Sequence, residues 1–213
     1  MNPQNPDRII RYAAGTRINH WIVAISFVLL ALSGLALFHP ALFWLTNLFG
    51  GGPWTRILHP FIGCVMVAAF YLLCVKLWRD NYLQQRDWIW LRKINDVAAN
   101  REQNLPDVGR YNGGQKLLFF TLVVCLAGLL LSGVVIWRVY FSELFSIGII
   151  RAAADLHAIF AFILICAILV HIYAGIWVKG SIRAMTRGRV TSGWAWKHHR
   201  AWFREVSKHV QSK

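Results

Sequence analysis

Four long runs of apolar residues dominate the chain, and polar, mostly basic segments separate them. The runs cover about residues 17–38, 55–78, 114–138 and 150–178. An α-helix needs about 20 apolar residues to cross the hydrocarbon core of a bilayer, and each run is about that long. The pattern therefore predicts an all-α fold, a transmembrane four-helix bundle, which forms one integral membrane domain over residues 1–213.

The polar segments divide the chain further. Pro40 ends the first run, and an aromatic, glycine-rich stretch up to the second run is predicted to lie at the membrane interface. Residues 81–113 are polar, with a short surface helix expected over 88–99. The basic tail, residues 179–213, carries Trp194, Trp196 and Trp202 and is predicted to lie along the membrane surface. The first run is too long for a signal peptide, so we expect it to remain in the mature chain.

The charges predict the orientation of the bundle. The chain has 213 residues, is 57% hydrophobic and carries a formal charge of +14. Of its 23 Lys and Arg residues, 20 lie in the segments on one side of the predicted spans and three, Arg56, Arg138 and Arg151, on the other. Positive residues favour the cytoplasmic side, so a multi-pass protein of the bacterial inner membrane with both termini cytoplasmic is expected. Topology and anionic lipid, with cardiolipin among the candidates, explain the positive charge better than nucleic acid does.

Histidines within the apolar runs are the main chemical signal. His157 and His171 in the fourth run are 14 positions apart, which places them on nearly one helical stripe, about 21 Å apart along the axis. The predicted topology puts His59 and His157 near the outer side of the membrane. It puts His20 and His171 near the inner side. Each level therefore offers two histidines from two different helices.

Two histidines per level suit haem b, with both axial positions filled, better than zinc, which usually takes at least three protein ligands. No C-x-x-C-H sequence occurs, so the haem would be bound non-covalently. With no open iron position, the expected task is electron transfer. The alternative for each histidine is a hydrogen bond to a neighbouring helix. His39, beside Pro40, is a rival outer ligand, whereas the tail histidines are expected to be solvated: His198, His199 and His209.

Small and basic residues in the spans leave their roles open. Arginines at the outer rim could pair with haem propionates or anchor the helices at the interface. Glycines within the spans allow a helix backbone to approach either a haem or another helix. These glycines are Gly34, Gly63, Gly128, Gly133 and Gly175.

A second candidate site lies at the start of the third run. Asn112 and Gln115 offer side-chain amides at the inner boundary, and Gly113 and Gly114 leave room for a ligand to approach the backbone. Such donors suit a quinone head group. A glycine-rich helix-capping turn explains the same residues equally well.

Several stretches together resemble a known family, the cytochrome b (gamma) subunit of respiratory membrane-bound formate dehydrogenase. The similarity extends over nearly the whole chain. The stretches DVGRYNGGQK and WVKGSI are specific to this subunit, whereas paired histidines also occur in hydrogenase cytochromes b. The matching stretches are RINHW (17–21), RILHPF (56–61), DVGRYNGGQK (107–116), SGVVIWR (132–138), His157, His171 and WVKGSI (177–182).

The resemblance implies a four-helix bundle with two b haems, the outer one held by His59 and His157 and the inner one by His20 and His171. It implies a menaquinone pocket lined by Asn112 and Gln115. Implied partners are a periplasmic iron–sulfur beta subunit and a molybdopterin-containing alpha subunit, which oxidises formate. Electrons would pass from the beta subunit through both haems to menaquinone, so this chain would be the electron-transfer and quinone-reducing part of an enzyme complex.

Other functions remain open on the sequence. The chain could be the cytochrome b of a nickel–iron hydrogenase or of a thiosulfate reductase, but the two specific stretches argue against this. It could also be a histidine-bearing metal transporter or a haem-free membrane anchor. A transporter would be expected to carry carboxylates within its spans. These spans have none in their interior, since Asp155 lies at the outer end of the fourth.

Overall fold

Four long helices account for most of the fold in a computed structural model, which describes residues 8–99 and 101–211. They are α1 (Ala14–Phe38), α2 (Gly52–Leu77), α5 (Gly113–Ile136) and α6 (Ile147–Trp177), and all are long and apolar enough to cross a membrane. Each begins and ends within three residues of the predicted run. Many of their apolar side chains are exposed, including Leu72 and Phe162. Such exposure suits contact with lipid rather than with water. The predicted all-α fold of membrane-length helices is confirmed.

The central parts of these helices form one compact unit, comprising Ile18–Val75 and Thr121–Val170. Polar side chains bond to backbone carbonyls of neighbouring helices. The Asn19 amide donates to the carbonyl oxygen of Ala69 at 2.8 Å, joining α1 to α2, and the Tyr71 hydroxyl donates to that of Val123 at 3.1 Å, joining α2 to α5. Inside an apolar bundle these bonds satisfy groups that lipid cannot.

A 3-10 helix, Pro40–Phe49, follows α1 where an interfacial loop was expected. His39 caps it, because its Nδ1 accepts a hydrogen bond from the backbone N–H of Ala41 at 3.2 Å. Pro40 occupies the first turn, where its missing N–H costs nothing. The rival outer histidine therefore has a local structural role at the end of the span.

The second compact unit comprises residues 8–17, 76–120 and 171–211. Its described residues include five short α-helices and two three-residue strands. The single surface helix expected over 88–99 is instead two shorter helices, and the hydrophobic pattern does not predict the other elements. The strands are β1 (Arg8–Ile10) and β2 (Arg189–Thr191), which pair antiparallel with Ile9 opposite Val190. The helices are α3 (Gln85–Arg92), α4 (Ile94–Ala98), α7 (Ser181–Arg187), α8 (Ser192–His198) and α9 (Arg200–Gln211).

The tail folds into a small core of its own. Ala184, Val190, Ala195 and Trp202 form the buried centre of this core. The prediction that the tail tryptophans lie along the membrane is wrong for Trp202, which is 6% exposed. The reason is that α9 is strongly amphipathic, and its apolar face covers the short sheet instead of facing lipid.

Candidate functional site

Two of the predicted ligands meet in the helical bundle. His59 lies near the start of α2 and His157 lies in the first half of α6, and their ring centroids are 6.3 Å apart. An iron about 2.0 Å from each Nε2 would place the centroids roughly 6.3 Å apart, since each centroid lies about 1.15 Å behind its nitrogen. The spacing of these two rings therefore fits a pair of axial ligands to one haem iron.

A buried serine on a different helix fixes each of these histidines. Ser33 Oγ on α1 lies 2.8 Å from His59 Nδ1, and Ser132 Oγ on α5 lies 3.0 Å from His157 Nδ1. Ser33 is fully buried and Ser132 nearly so. Sequence reasoning did not identify either serine.

The serine hydroxyls also determine which ring nitrogen carries the proton. Each hydroxyl donates its hydrogen to a carbonyl four residues earlier, Ser33 to Leu29 at 2.7 Å and Ser132 to Gly128 at 2.6 Å. With its hydrogen on that carbonyl, each serine oxygen accepts from the Nδ1–H of its histidine. Both imidazoles thus have the tautomer whose Nε2 lone pair is available for a metal, which is the usual arrangement around metal-bound histidine.

A glycine follows each serine and makes room for the same ring. A Cβ on Gly34 would lie 3.3 Å from His59 Cε1, and one on Gly133 would lie 3.4 Å from His157 Cε1. Within the four long helices, Ser-Gly therefore occurs twice, once on α1 and once on α5, and serves one histidine each time. This repeated dipeptide is the signal by which the sequence could have revealed the serines.

Protein side chains alone do not complete a metal site here. Among the described residues, no group of three or more His, Cys, Asp and Glu side chains could hold a metal ion.

The other two predicted ligands, His20 and His171, also lie on membrane-length helices. His20 is on α1, where its ring makes an edge contact with Trp21 at 5.5 Å, and His171 is on α6. The two belong to different compact units, and their pairing stays a prediction.

The predicted quinone-site residues cap a helix. The backbone N–H of Asn112 donates to Gln115 Oε1 at 3.0 Å, and the backbone N–H of Gln115 donates to Asn112 Oδ1 at 2.8 Å. This reciprocal pair is a capping box at the start of α5. It occupies only the oxygen of each side-chain amide, so both NH2 groups remain as donors. The capping function and a ligand-binding function are therefore compatible.

The two glycines beside them were expected to leave room for a ligand, and this expectation is wrong. A Cβ on Gly113 would lie 2.6 Å from the backbone oxygen of Asp87, and one on Gly114 would lie 3.0 Å from the Trp90 ring. Helix α3 occupies the space that the missing side chains leave.

A buried ion pair, which the sequence did not reveal, joins the same two helices. Lys116 Nζ lies 2.7 Å from Asp87 Oδ2, and both side chains are 4% exposed. Lys116 also donates to the carbonyl oxygen of Tyr82 at 2.8 Å, and Asp87 accepts from the backbone N–H of Gln84 at 2.8 Å. These extra bonds help to offset the desolvation of the two charges.

One tail histidine departs from expectation. His199 was expected to be solvated but is only 2% exposed, because its ring lies among the aromatic side chains of the tail core. His198 is half-buried, and the side chain of His209 lies outside the described residues.

Comparisons with known proteins agree with this architecture. Residues 11–188 match the prokaryotic cytochrome b561 family. The chain is 48% identical over 207 residues to the formate dehydrogenase cytochrome b556(fdo) subunit of Escherichia coli strain K12, covering 97% of each chain. It is 43% identical over 201 residues to the formate dehydrogenase cytochrome b556 subunit of Haemophilus influenzae, covering 94% of this chain and 84% of that one. It is 42% identical over 200 residues to the nitrate-inducible formate dehydrogenase cytochrome b556(Fdn) subunit of E. coli K12, covering 94% and 92%. The chain therefore belongs to the prokaryotic cytochrome b561 family and, within it, to the cytochrome b556 subunits of formate dehydrogenase.

Proposed function

We propose that this chain is the di-haem membrane subunit of a formate dehydrogenase complex, and that it conducts electrons from a periplasmic iron–sulfur subunit to menaquinone near the cytoplasmic side. The names of its relatives support formate as the source of the electrons. The observation that carries the proposal is the His59–His157 pair, 6.3 Å apart, with a buried serine behind each ring.

The outer site would use His59 and His157 as axial ligands. Each ring would bind iron through Nε2, while the serine behind it holds Nδ1–H and prevents rotation about the Cβ–Cγ bond. Haem b held by these two residues would supply a one-electron carrier. The inner site would use His20 and His171 in the same way. Support for the inner pair comes from the predicted depths of the two residues on α1 and α6.

Quinone would bind beside the start of α5. A quinone has two carbonyl oxygens that accept hydrogen bonds, and the NH2 groups of Asn112 and Gln115 are donors that the capping box leaves in place. The 20 basic residues in the polar segments on this side of the spans support a cytoplasmic orientation for those segments. A quinone bound at the start of α5 would therefore take up its protons from the cytoplasm.

The proposed partners follow from the relatives, which are subunits of formate dehydrogenases. An iron–sulfur beta subunit would dock on the periplasmic side and a molybdopterin-containing alpha subunit would carry out formate oxidation. Anionic lipid, including cardiolipin, would surround the basic inner rim.

A reduced-minus-oxidised spectrum of the purified complex tests the proposal. The proposal predicts two low-spin b components in this spectrum, which formate reduces and menaquinone reoxidises. His59→Ala or His157→Ala should remove one component, and His20→Ala or His171→Ala the other. Loss of the same component in all four variants would contradict the two-level arrangement.

A further inference from the structure

The C-terminal segment, residues 199–204, contacts the loop of residues 107–111 that leads to the proposed quinone site. The backbone N–H of Ala201 donates to the carbonyl oxygen of Val108 at 3.0 Å. Arg204 Nη1 lies 2.7 Å from Asp107 Oδ2, and Arg200 Nη1 lies 3.4 Å from Oδ1 of the same carboxylate. Three contacts within about one helical turn therefore join the start of α9 to a loop about 95 positions earlier in the chain.

The buried His199 makes a further contact between this segment and the loop. Its Nδ1 lies 2.8 Å from the carbonyl oxygen of Gly109, and its ring lies 5.0 Å from that of Trp194 and makes an edge contact with Trp202. A carbonyl oxygen can only accept, so Nδ1 carries a proton. Burial, together with the charge of Arg11, lowers the pKa of His199 to about 3, so the ring is neutral at physiological pH.

The loop of residues 107–111 directly precedes the capping box in the sequence. Gly109 is followed by Arg110 and Tyr111, and then by Asn112. The Arg110 carbonyl accepts a hydrogen bond from the Arg11 guanidinium, whereas the Arg110 guanidinium donates to the Arg11 carbonyl at 2.9 Å. Tyr111 is 7% exposed. Every residue from 107 to 111 is therefore held by the terminal segments or buried against them.

On its other side the same site rests on α3, because Gly113 contacts the Asp87 backbone and Lys116 pairs with the Asp87 carboxylate. The amides of Asn112 and Gln115 thus sit between two supports. One is α3, close in sequence to α5. The other is the segment His199–Arg204.

We propose that residues 199–204 form a C-terminal clamp that positions the quinone-binding amides, with His199 as the positioning residue. It acts through the Gly109 carbonyl and touches no substrate. The clamp keeps the loop at a fixed distance from the capping box, so the NH2 groups of Asn112 and Gln115 are already placed when quinone arrives, and less conformational entropy is lost on binding. This inference rests on the quinone site proposed above.

The test uses the complete formate dehydrogenase complex with a water-soluble naphthoquinone as acceptor. His199→Phe keeps the ring volume but leaves the Gly109 carbonyl without its donor. His199→Asn places an amide N–H close to the position of Nδ1 and should restore the bond. Lys208→Ala, on the exposed face of α9, is the matched control. We expect His199→Phe to raise the KM for naphthoquinone about 10-fold, His199→Asn to remain within about 2-fold of wild type, and Lys208→Ala to have no effect.

A merely structural role of His199 would lower the yield, the haem content and kcat together, and would leave KM unchanged. The haem spectrum and the rate of formate oxidation with an artificial dye are measured on the same preparations to separate the two cases. An unchanged KM in His199→Phe, at full haem content, overturns the clamp.

Two further variants complete the design. Asn112→Ala separates the proposed quinone site from the proposed clamp. If Asn112→Ala raises the KM while His199→Phe does not, the quinone site is supported and the clamp is refuted. If neither variant alters the KM, both proposals are refuted. Should His199→Phe fail to assemble, Arg204→Ala breaks an exposed ion pair of the same clamp, between Arg204 and Asp107. It should raise KM by up to about 5-fold, the range of such pairs, and an unchanged KM would refute the clamp.

Discussion

Replacing Ser33 by alanine is expected to change one haem and leave the other unaltered. The substitution removes the oxygen that lies 2.8 Å from His59 Nδ1, in a position with no exposure to solvent. Leaving a buried N–H without an acceptor costs about 1–3 kcal/mol. Loss of an outer hydrogen bond of this kind lowers metal affinity by about 10- to 100-fold.

The same change should raise the midpoint potential of the outer haem. An Nδ1–H bonded to oxygen makes the imidazole a stronger donor, which favours ferric iron, so losing the bond favours ferrous iron. A differential of about 1 kcal/mol between the two oxidation states corresponds to about 43 mV for one electron. We expect a rise of about 20–50 mV, and a similar rise for Ser132→Ala, because His157 has the equivalent partner at 3.0 Å.

A redox titration of the purified complex, followed at the absorbance of each b component, measures this shift. Ser33→Thr keeps the hydroxyl and should stay near wild type. Ser26→Ala removes another buried serine from the same helix and should leave the outer component unchanged. Equal shifts of both components, or no shift in Ser33→Ala at full haem content, would refute the assignment of this serine.

Three further outcomes are expected. Gly113→Ala should destabilise the chain, since its Cβ would meet the Asp87 backbone oxygen at 2.6 Å, and the melting temperature of the purified chain should fall; an unchanged value would contradict this close contact. Lys116→Met should cost about 3–5 kcal/mol because it strands the buried Asp87 carboxylate, whereas combining it with Asp87→Asn should recover part of the loss in the same assay. Burial, and then the charge of Arg11, lowers the pKa of His199 to about 3 in the folded chain. Below a pH of about 6.5 the unfolded chain therefore binds more protons at this residue than the folded chain does. Stability should thus fall as pH drops from there toward 3, by up to about 1.4 kcal/mol per unit, and His199→Asn should flatten this slope; equal slopes would contradict it.

The long helices were predictable because a single physical requirement determines them. A membrane span must be apolar over about 20 residues, and this length is written directly in the sequence. The ends were less certain. Helix α1 begins at Ala14, three residues before the predicted start, because nearby polar residues are as compatible with a first helical turn as with a loop.

The histidines were predictable as a set, but their partners were not. Serines in membrane helices commonly bond back to their own helix, and Ser33 and Ser132 do so as well. Nothing in the local sequence distinguishes such a serine from one that also accepts from a histidine on another helix. Only the repeated Ser-Gly pair hinted at this.

The polar segments were the least predictable. The hydrophobic pattern says which residues avoid water, but it does not say which loop faces which. His199 looked solvated because it lies in a basic stretch, yet its ring is covered by Trp194 and Trp202, residues that long-range packing brings to it. The glycines before Gln115 suggested space for a ligand, and that space is taken by α3, a helix whose docking no local motif reveals.

The haem content of the complex carrying His59→Ala tests the central claim most directly. The ring centroids of His59 and His157 lie 6.3 Å apart, and a buried serine lies within hydrogen-bond distance of each Nδ1. His39→Ala, which removes only a helix cap, is the control. The account predicts two b haems per chain in wild type and in His39→Ala, and one in His59→Ala, with the outer component missing from the spectrum. Two haems in His59→Ala, or none in the wild-type protein, would contradict it.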